Sequence, residues 1–209
     1  KKKAEKPNGF SIILDAKGHD RTILTYKGPC DELKKEFLPK SVKTRWLYCA
    51  SMMGESMRSE TFLAKYAKKN KIKVMFNPSL YMAEQGAKAL APIISNTEVF
   101  ICNKEEASAL VKGHMEQMLE KIAELGPNIV MITDGRKNVF LYTKGKVYRI
   151  IPHKVKVVEA TGAGDAFASQ QQRHTGAGGF VGSSTVKHNV AVARDQVQSL
   201  FQLARFHAM

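Results

Sequence analysis

Between residues 45 and 134 the sequence switches repeatedly between two periodicities, and that switching decides the fold class. "RWLYCA", "IKVMF", "EVFIC" and "NIVMIT" are short apolar runs of β type. Between them, "SETFLAKYAKKN", "MAEQGAKALAPII", "KEEASALV" and "MEQMLEKIAELG" carry apolar residues at helical spacing. Strands alternating with helices predict βαβ units around a mostly parallel sheet. Pro92 is expected to break the second helical segment, because a proline inside a helix removes a backbone donor. Gly126 is expected to cap the last one. On the first strand, Trp46 and Tyr48 fall on the opposite pleat from Leu47 and Cys49, which predicts packing rather than base stacking.

The flanks read differently. "FSIILD" and "RTILTY" are β-type runs separated by the turn cluster "AKGHD", a hairpin by pattern. "DELKKEFL" predicts a short amphipathic helix stopped by Pro39. "NVFLYTKGKVYRII" predicts a second hairpin turned on Lys-Gly, and "VKVVEA" leads into a glycine loop.

A chain of 209 residues can bury a sizeable core. No apolar run is long enough to span a bilayer, and the basic start "KKKAEKPNGF" has no apolar stretch after it, so neither a membrane protein nor a secretory signal is predicted. Cys30, Cys49 and Cys102 are odd in number and far apart, with no C-x-x-C pair. That argues against zinc and for a reduced, cytoplasmic setting. The formal net charge is +14, and residues 1–73 hold 18 Lys and Arg against 8 Asp and Glu. Such an excess attracts anions, or it is simply a solvated surface. No aromatic residues interleave with the basic ones as in a nucleic-acid platform, so nucleic-acid binding is the lesser reading.

In a parallel sheet, ligands sit beyond the carboxyl ends of the strands. Three candidate sites lie there. The first is Thr161-Gly162-Ala163-Gly164-Asp165, after a β-type run and before a helix start. Its glycines let backbone N–H groups approach a phosphate, and the helix start favours negative charge. Asp165 either takes a proton from an attacking hydroxyl or caps the helix; the residues alone leave both roles open. The loop is neither a Walker A motif nor a G-x-G-x-x-G fingerprint. The second site pairs Asn103 with Glu106, which fits either a capping box or a hydrated Mg²⁺ near phosphates. The third, "ITDGRKN", offers Thr133 and Gly135 to a nucleotide, or makes a turn. A second Thr-Gly-Ala-Gly at residues 175–178 follows no strand and lacks the aspartate, so it reads as coincidence.

"NPSLY", "NKEEASAL", "ITDGRKNVFLY" and "VVEATGAGDAFAS", in this order, resemble the ribokinase-like (PfkB) carbohydrate kinases. The resemblance runs from about residue 10 to residue 169, and "TGAGDAFAS" carries most of its specificity. It implies an α/β, Rossmann-like, mostly parallel sheet flanked by helices, with a small hairpin lid over residues 10–30. The implied reaction is transfer of the ATP γ-phosphoryl group to a hydroxyl of a sugar or sugar-like molecule. By motif match, Asp165 is the general base and Gly162, Ala163 and Gly164 form the anion hole. Asn103 and Glu106 organise Mg²⁺ and phosphate, and Thr133 and Gly135 belong to the nucleotide loop. The resemblance also leaves room for a monovalent cation and for a homodimer. Glu159 stands where the family usually has Asp, and Asn138 where it often has Gly. Family members carry an earlier Gly-Gly block not found in this sequence, so the chain is expected to be the later, incomplete part of such a kinase. Residues 1–169 are then a partial kinase domain and residues 170–209, from "QQQRHTGAGG" onward, an atypical tail. The alternative is a non-catalytic nucleotide- or anion-binding remnant of the same fold.

Overall fold

The computed structural model describes residues 6–14, 22–135 and 137–151. Strands β1 (Phe10–Leu14) and β2 (Thr22–Tyr26) form an antiparallel hairpin, as the pattern predicts. Its register places Phe10, Ile12, Leu24 and Tyr26 on one face, and all ten strand residues are exposed.

"DELKKEFL" is not a helix. The chain instead makes two 3₁₀ turns, Gly28–Asp31 and Lys35–Phe37. The reason lies on the next helix, where Ser56 Oγ accepts from Leu33 N at 2.8 Å and donates to the Cys30 carbonyl at 2.6 Å. Ser59 Oγ donates to the Leu33 carbonyl at 2.6 Å. Two of these groups, the Cys30 and Leu33 carbonyls, are ones that an α-helix over residues 31–38 would pair internally.

The alternating segment then folds as βαβ units: β3 (Trp46–Cys49), α1 (Gly54–Lys69), β4 (Lys73–Phe76), α2 (Leu80–Ala83), α3 (Gly86–Ile94), β5 (Val99–Asn103), α4 (Lys104–Leu110), α5 (Met115–Glu124) and β6 (Ile129–Asp134). Strands β7 (Asn138–Thr143) and β8 (Lys146–Ile150) complete one sheet in the order β3-β4-β5-β6-β7-β8, parallel through β6 and antiparallel beyond it. The β7–β8 turn is Lys144-Gly145, with φ of 51° and 73°. Two consecutive positive φ values match the twist of a two-residue hairpin.

Pro92 does not break its helix. The break falls earlier, at Gly86, whose φ is +82°, and α3 runs through Pro92 to Ile94. Leu90, Ile93 and Ile94 are fully buried on α3. Burying each stabilises by about 1.5–3 kcal/mol, enough together to offset the roughly 3 kcal/mol a mid-helix proline costs. The α5 C-cap is Leu125 rather than Gly126, which follows it at φ +138° and donates its N–H to the Ala123 carbonyl at 3.0 Å.

The period-two alternation along each strand sorts the core into two layers. Leu47, Cys49, Val74, Phe76, Phe100, Cys102, Val130 and Ile132 pack with all five helices. Trp46, Tyr48, Met75, Val99, Ile101, Met131, Val139 and Leu141 gather on the opposite face. Trp46 and Tyr48 are thus packing residues, on the pleat their positions predict.

Candidate functional site

The parallel strands end together at Cys49, Phe76, Asn103 and Asp134, and the candidate residues cluster on that edge. Asn103 and Thr133 are register partners across β5 and β6. Gly135 follows directly, at φ +55°, and a Cβ added there would meet nothing within 4 Å. The fold therefore brings Asn103 beside Thr133 and Gly135, some thirty positions later in the chain, on one open edge. The loop Gly162, Ala163, Gly164 and Asp165 lies outside the described residues, as do residues 170–209 and the second Thr-Gly-Ala-Gly.

Asn103 and Glu106 form a complete capping box. Asn103 Oδ1 accepts from Glu106 N at 2.8 Å, and Glu106 Oε2 accepts from Asn103 N at 2.8 Å. Glu106 is buried. Burial pushes its carboxyl up, the Asn103 hydrogen bond opposes that, and the charge of Glu105 adds to it. Lys104 reaches across to Asp134 at 3.4 Å, tying the α4 start to the end of β6. Among the described residues no three His, Cys, Asp or Glu side chains gather into a metal cage. The donor set fits a weaker role. Mg²⁺ keeps several of its waters, so one carboxylate oxygen of Glu106 and the exposed Asn103 can contact a hydrated ion through water.

Two groupings on the same edge escape sequence reasoning. Lys27, Ser51, Ser79 and Tyr81 converge beyond β3 and β4. At the end of β3, Glu60 on α1 lies against Cys49 and the Ala50 backbone N–H. Burial pushes the Glu60 carboxyl up to about 8, against the opposing Ala50 and Cys49 hydrogen bonds. Its Oε2 is buried without a hydrogen-bond partner. Burial likewise pushes the Cys49 thiol up, reinforced by Glu60. "NPSLY" contains Tyr81, but nothing local marks its contact with a lysine 54 positions earlier.

Residues 1–169 match the profile of the pfkB family carbohydrate kinases. The chain belongs to this family. It is 31% identical over 173 residues to a ribokinase of Haemophilus influenzae, a match covering 78% of this chain and 55% of that protein. It is 30% identical over 115 residues to a 5-dehydro-2-deoxygluconokinase of Halalkalibacterium halodurans, covering 50% of this chain and 35% of that one. The chain thus spans about half or less of the length of these curated relatives. Among solved structures, Anopheles gambiae adenosine kinase in complex with P1,P4-di(adenosine-5) tetraphosphate superposes with a TM-score of 0.75 at 20% identity, over 95% of this chain and 64% of that one. That likeness speaks for the fold: a mostly parallel sheet flanked by helices, with a hairpin near the N-terminus. Among the described residues no helix is long and apolar enough to cross a membrane.

Proposed function

We propose that the protein takes part in ATP-dependent phosphoryl transfer to a hydroxyl of a sugar or sugar-like molecule. The observation that carries this reading is the register pairing of Asn103 with Thr133, beside the positive-φ Gly135, at the ligand-binding edge of a pfkB-family sheet. In this reading Thr133 and Gly135 border the nucleotide. Glycine at 135 keeps side-chain bulk away from the ligand and accepts the φ that other residues resist. Asn103 and Glu106 lie at the phosphates, held in place by their own capping box. Mg²⁺, when bound, neutralises charge on the phosphate oxygens; Glu106 and Asn103 orient its water shell.

Phosphoryl transfer asks mainly for alignment of donor and acceptor, with charge stabilisation where it develops. The Gly162, Ala163 and Gly164 N–H groups are assigned to the transferring phosphoryl group. Asp165 is assigned to hold the acceptor hydroxyl and take its proton as the new P–O bond forms. The relatives named ribokinase and 5-dehydro-2-deoxygluconokinase support a carbohydrate-like acceptor.

The test joins calorimetric titration of ATP·Mg²⁺ with a coupled assay of ATP consumption over ribose, fructose, 2-keto-3-deoxygluconate and adenosine. ATP·Mg²⁺ should bind, and Asn103→Ala should weaken that binding. Asp165→Asn should keep it while lowering turnover about 10²-fold or more, the contribution of a general base. Absence of ATP·Mg²⁺ binding would overturn the kinase reading and leave a fold without its activity.

A further inference from the structure

A second group of side chains converges on the ligand edge, two strands away from Thr133. Lys27, just past β2, reaches the segment beyond β4. Its Nζ donates to Tyr81 Oη at 2.9 Å and lies 4.7 Å from the centre of the Tyr81 ring. The hydroxyls of Ser51, beyond β3, and Ser79, beyond β4, flank the same phenol. The Ser79 Oγ is buried. Lys27, Ser51, Ser79 and Tyr81 are all half-buried, open to solvent on one side.

Lys27 is held in position rather than waving in solvent. Its carbonyl accepts from Cys30 N at 3.0 Å, and Ser56 on α1 binds the Cys30 carbonyl in turn. Gly9 crosses so closely that a Cβ there would lie 2.8 Å from the Lys27 carbonyl oxygen. Gly28, at φ +52°, passes the Pro7 carbonyl with equally little room. The base of the hairpin is thus clamped, and the lysine leaves it in one direction.

The chemistry of the group selects its ligand. A half-buried ammonium asks for a counter-charge, yet among the described residues no carboxylate lies within ion-pair distance of Lys27. Because Tyr81 Oη accepts from Lys27, its proton can go to Ser51, to Ser79 or to a bound acceptor, and a serine hydroxyl that takes it keeps its own proton for that acceptor. Burial would push the Tyr81 phenol up, but the Lys27 hydrogen bond, the two serine hydroxyls and the lysine charge bring it below its ordinary value. The group therefore presents an ammonium and a hydroxyl donor side by side, a match for two oxygens of one anion. A neutral sugar hydroxyl would leave the ammonium uncompensated.

We propose that Lys27 and Tyr81, with Ser51 and Ser79 beside them, form an anion-recognition subsite for the acceptor, which makes the phosphorylated molecule an acidic sugar carrying a carboxylate or a phosphate. The assignment to the acceptor rests on the kinase reading above: the nucleotide residues lie at the ends of β5 and β6, whereas this group lies over β3 and β4.

The experiment is calorimetric titration of the full 209-residue chain with 2-keto-3-deoxygluconate, ribose 5-phosphate, fructose and ATP·Mg²⁺, each alone. Parent protein is set against Lys27→Met, Lys27→Arg and Tyr81→Phe, with thermal melts to confirm folding. One acidic ligand should bind at least roughly tenfold tighter than fructose, the worth of one charge-assisted hydrogen bond. Whether the keto acid or the phosphate ester wins identifies the anion. Lys27→Met should abolish the preference, Lys27→Arg restore it in part, and Tyr81→Phe reduce it severalfold, with ATP·Mg²⁺ binding unchanged throughout. If Lys27→Met does not fold, the other two variants carry the test. Equal affinity for fructose and both acids, no binding of either acid at millimolar concentration, or a preference that survives the substitutions would each overturn the subsite. A loss of ATP·Mg²⁺ affinity in Lys27→Met would return the anion to the nucleotide and overturn the acceptor assignment. Failure of the parent to bind ATP·Mg²⁺ sinks the kinase reading separately, since acid-against-neutral selectivity is measured without nucleotide.

Discussion

Glu60 is 8% exposed, and its carboxyl sits about where a general acid would be tuned, yet its surroundings are a thiol and a backbone amide. Its consequence is for stability. An acid whose value rises on folding binds more protons folded than unfolded, from the ordinary carboxyl range near 4.5 up to about 8. Stability therefore falls as pH rises through that window, with a slope of at most about 1.4 kcal/mol per pH unit. Glu60→Gln cannot ionise, and it should flatten the profile and gain on the parent at pH 8. Urea unfolding at pH 5, 6.5 and 8 measures this, and parallel profiles would mean the carboxyl titrates normally. Glu106 asks a different question, because capping and ligand roles coincide there. Glu106→Gln still offers an oxygen to Asn103 N, so stability should change by less than about 0.5 kcal/mol while the Mg²⁺ dependence of activity weakens. Glu106→Ala should lose about 1 kcal/mol as well. A Mg²⁺ titration unchanged in Glu106→Gln would leave that residue a cap alone.

The elements show local rules yielding to packing in some places and holding in others. Pro92 lies on the exposed side of α3 while its neighbours Ile93 and Ile94 are buried. Pro92→Ala returns a helical N–H with no cavity to make, and should stabilise by about 1–2 kcal/mol, less than the full proline penalty because the unfolded chain also gains freedom. An unchanged or lowered melting temperature would show that the proline fixes the helix geometry. Two glycines with positive φ should respond unequally. At Gly126 a Cβ would fall 2.7 Å from Ser95 Cα, where α5 ends against the end of α3, so Gly126→Ala should cost more than about 2 kcal/mol. At Gly145 nothing lies within 4 Å, and Gly145→Ala should cost only about 1 kcal/mol, the conformational penalty alone. Equal losses at the two sites, read from denaturant midpoints, would refute the packing account.

At the scale of the molecule, β5 lies between β4 and β6, with Val99, Phe100, Ile101 and Cys102 all buried, while β1 and β2 are exposed throughout. Hydrogen exchange should be slowest in β5 and fastest in the hairpin, because local opening is easiest where little apolar surface is lost. Comparable protection in both would mean the hairpin is covered in solution. What the sequence by itself determined were features encoded within a few residues. Alternation along β4 and β5 set which face each side chain meets, Asn103 and Glu106 stood at capping-box spacing, and Lys144-Gly145 marked a turn. Each depends on neighbours no farther away than one helical turn or one hairpin loop, so a linear pattern can hold it. Tertiary structure decided the rest. Helix formation at "DELKKEFL" lost to hydroxyls supplied by Ser56 and Ser59, more than twenty positions away. Pro92 stayed helical because the burial of its neighbours outweighed its own preference. Lys27 met Tyr81, and Glu60 was buried against Cys49, only because the closed fold brought together residues far apart in sequence. A charge has no defined partner, and a carboxyl no reason to hold its proton, until the chain has closed around it.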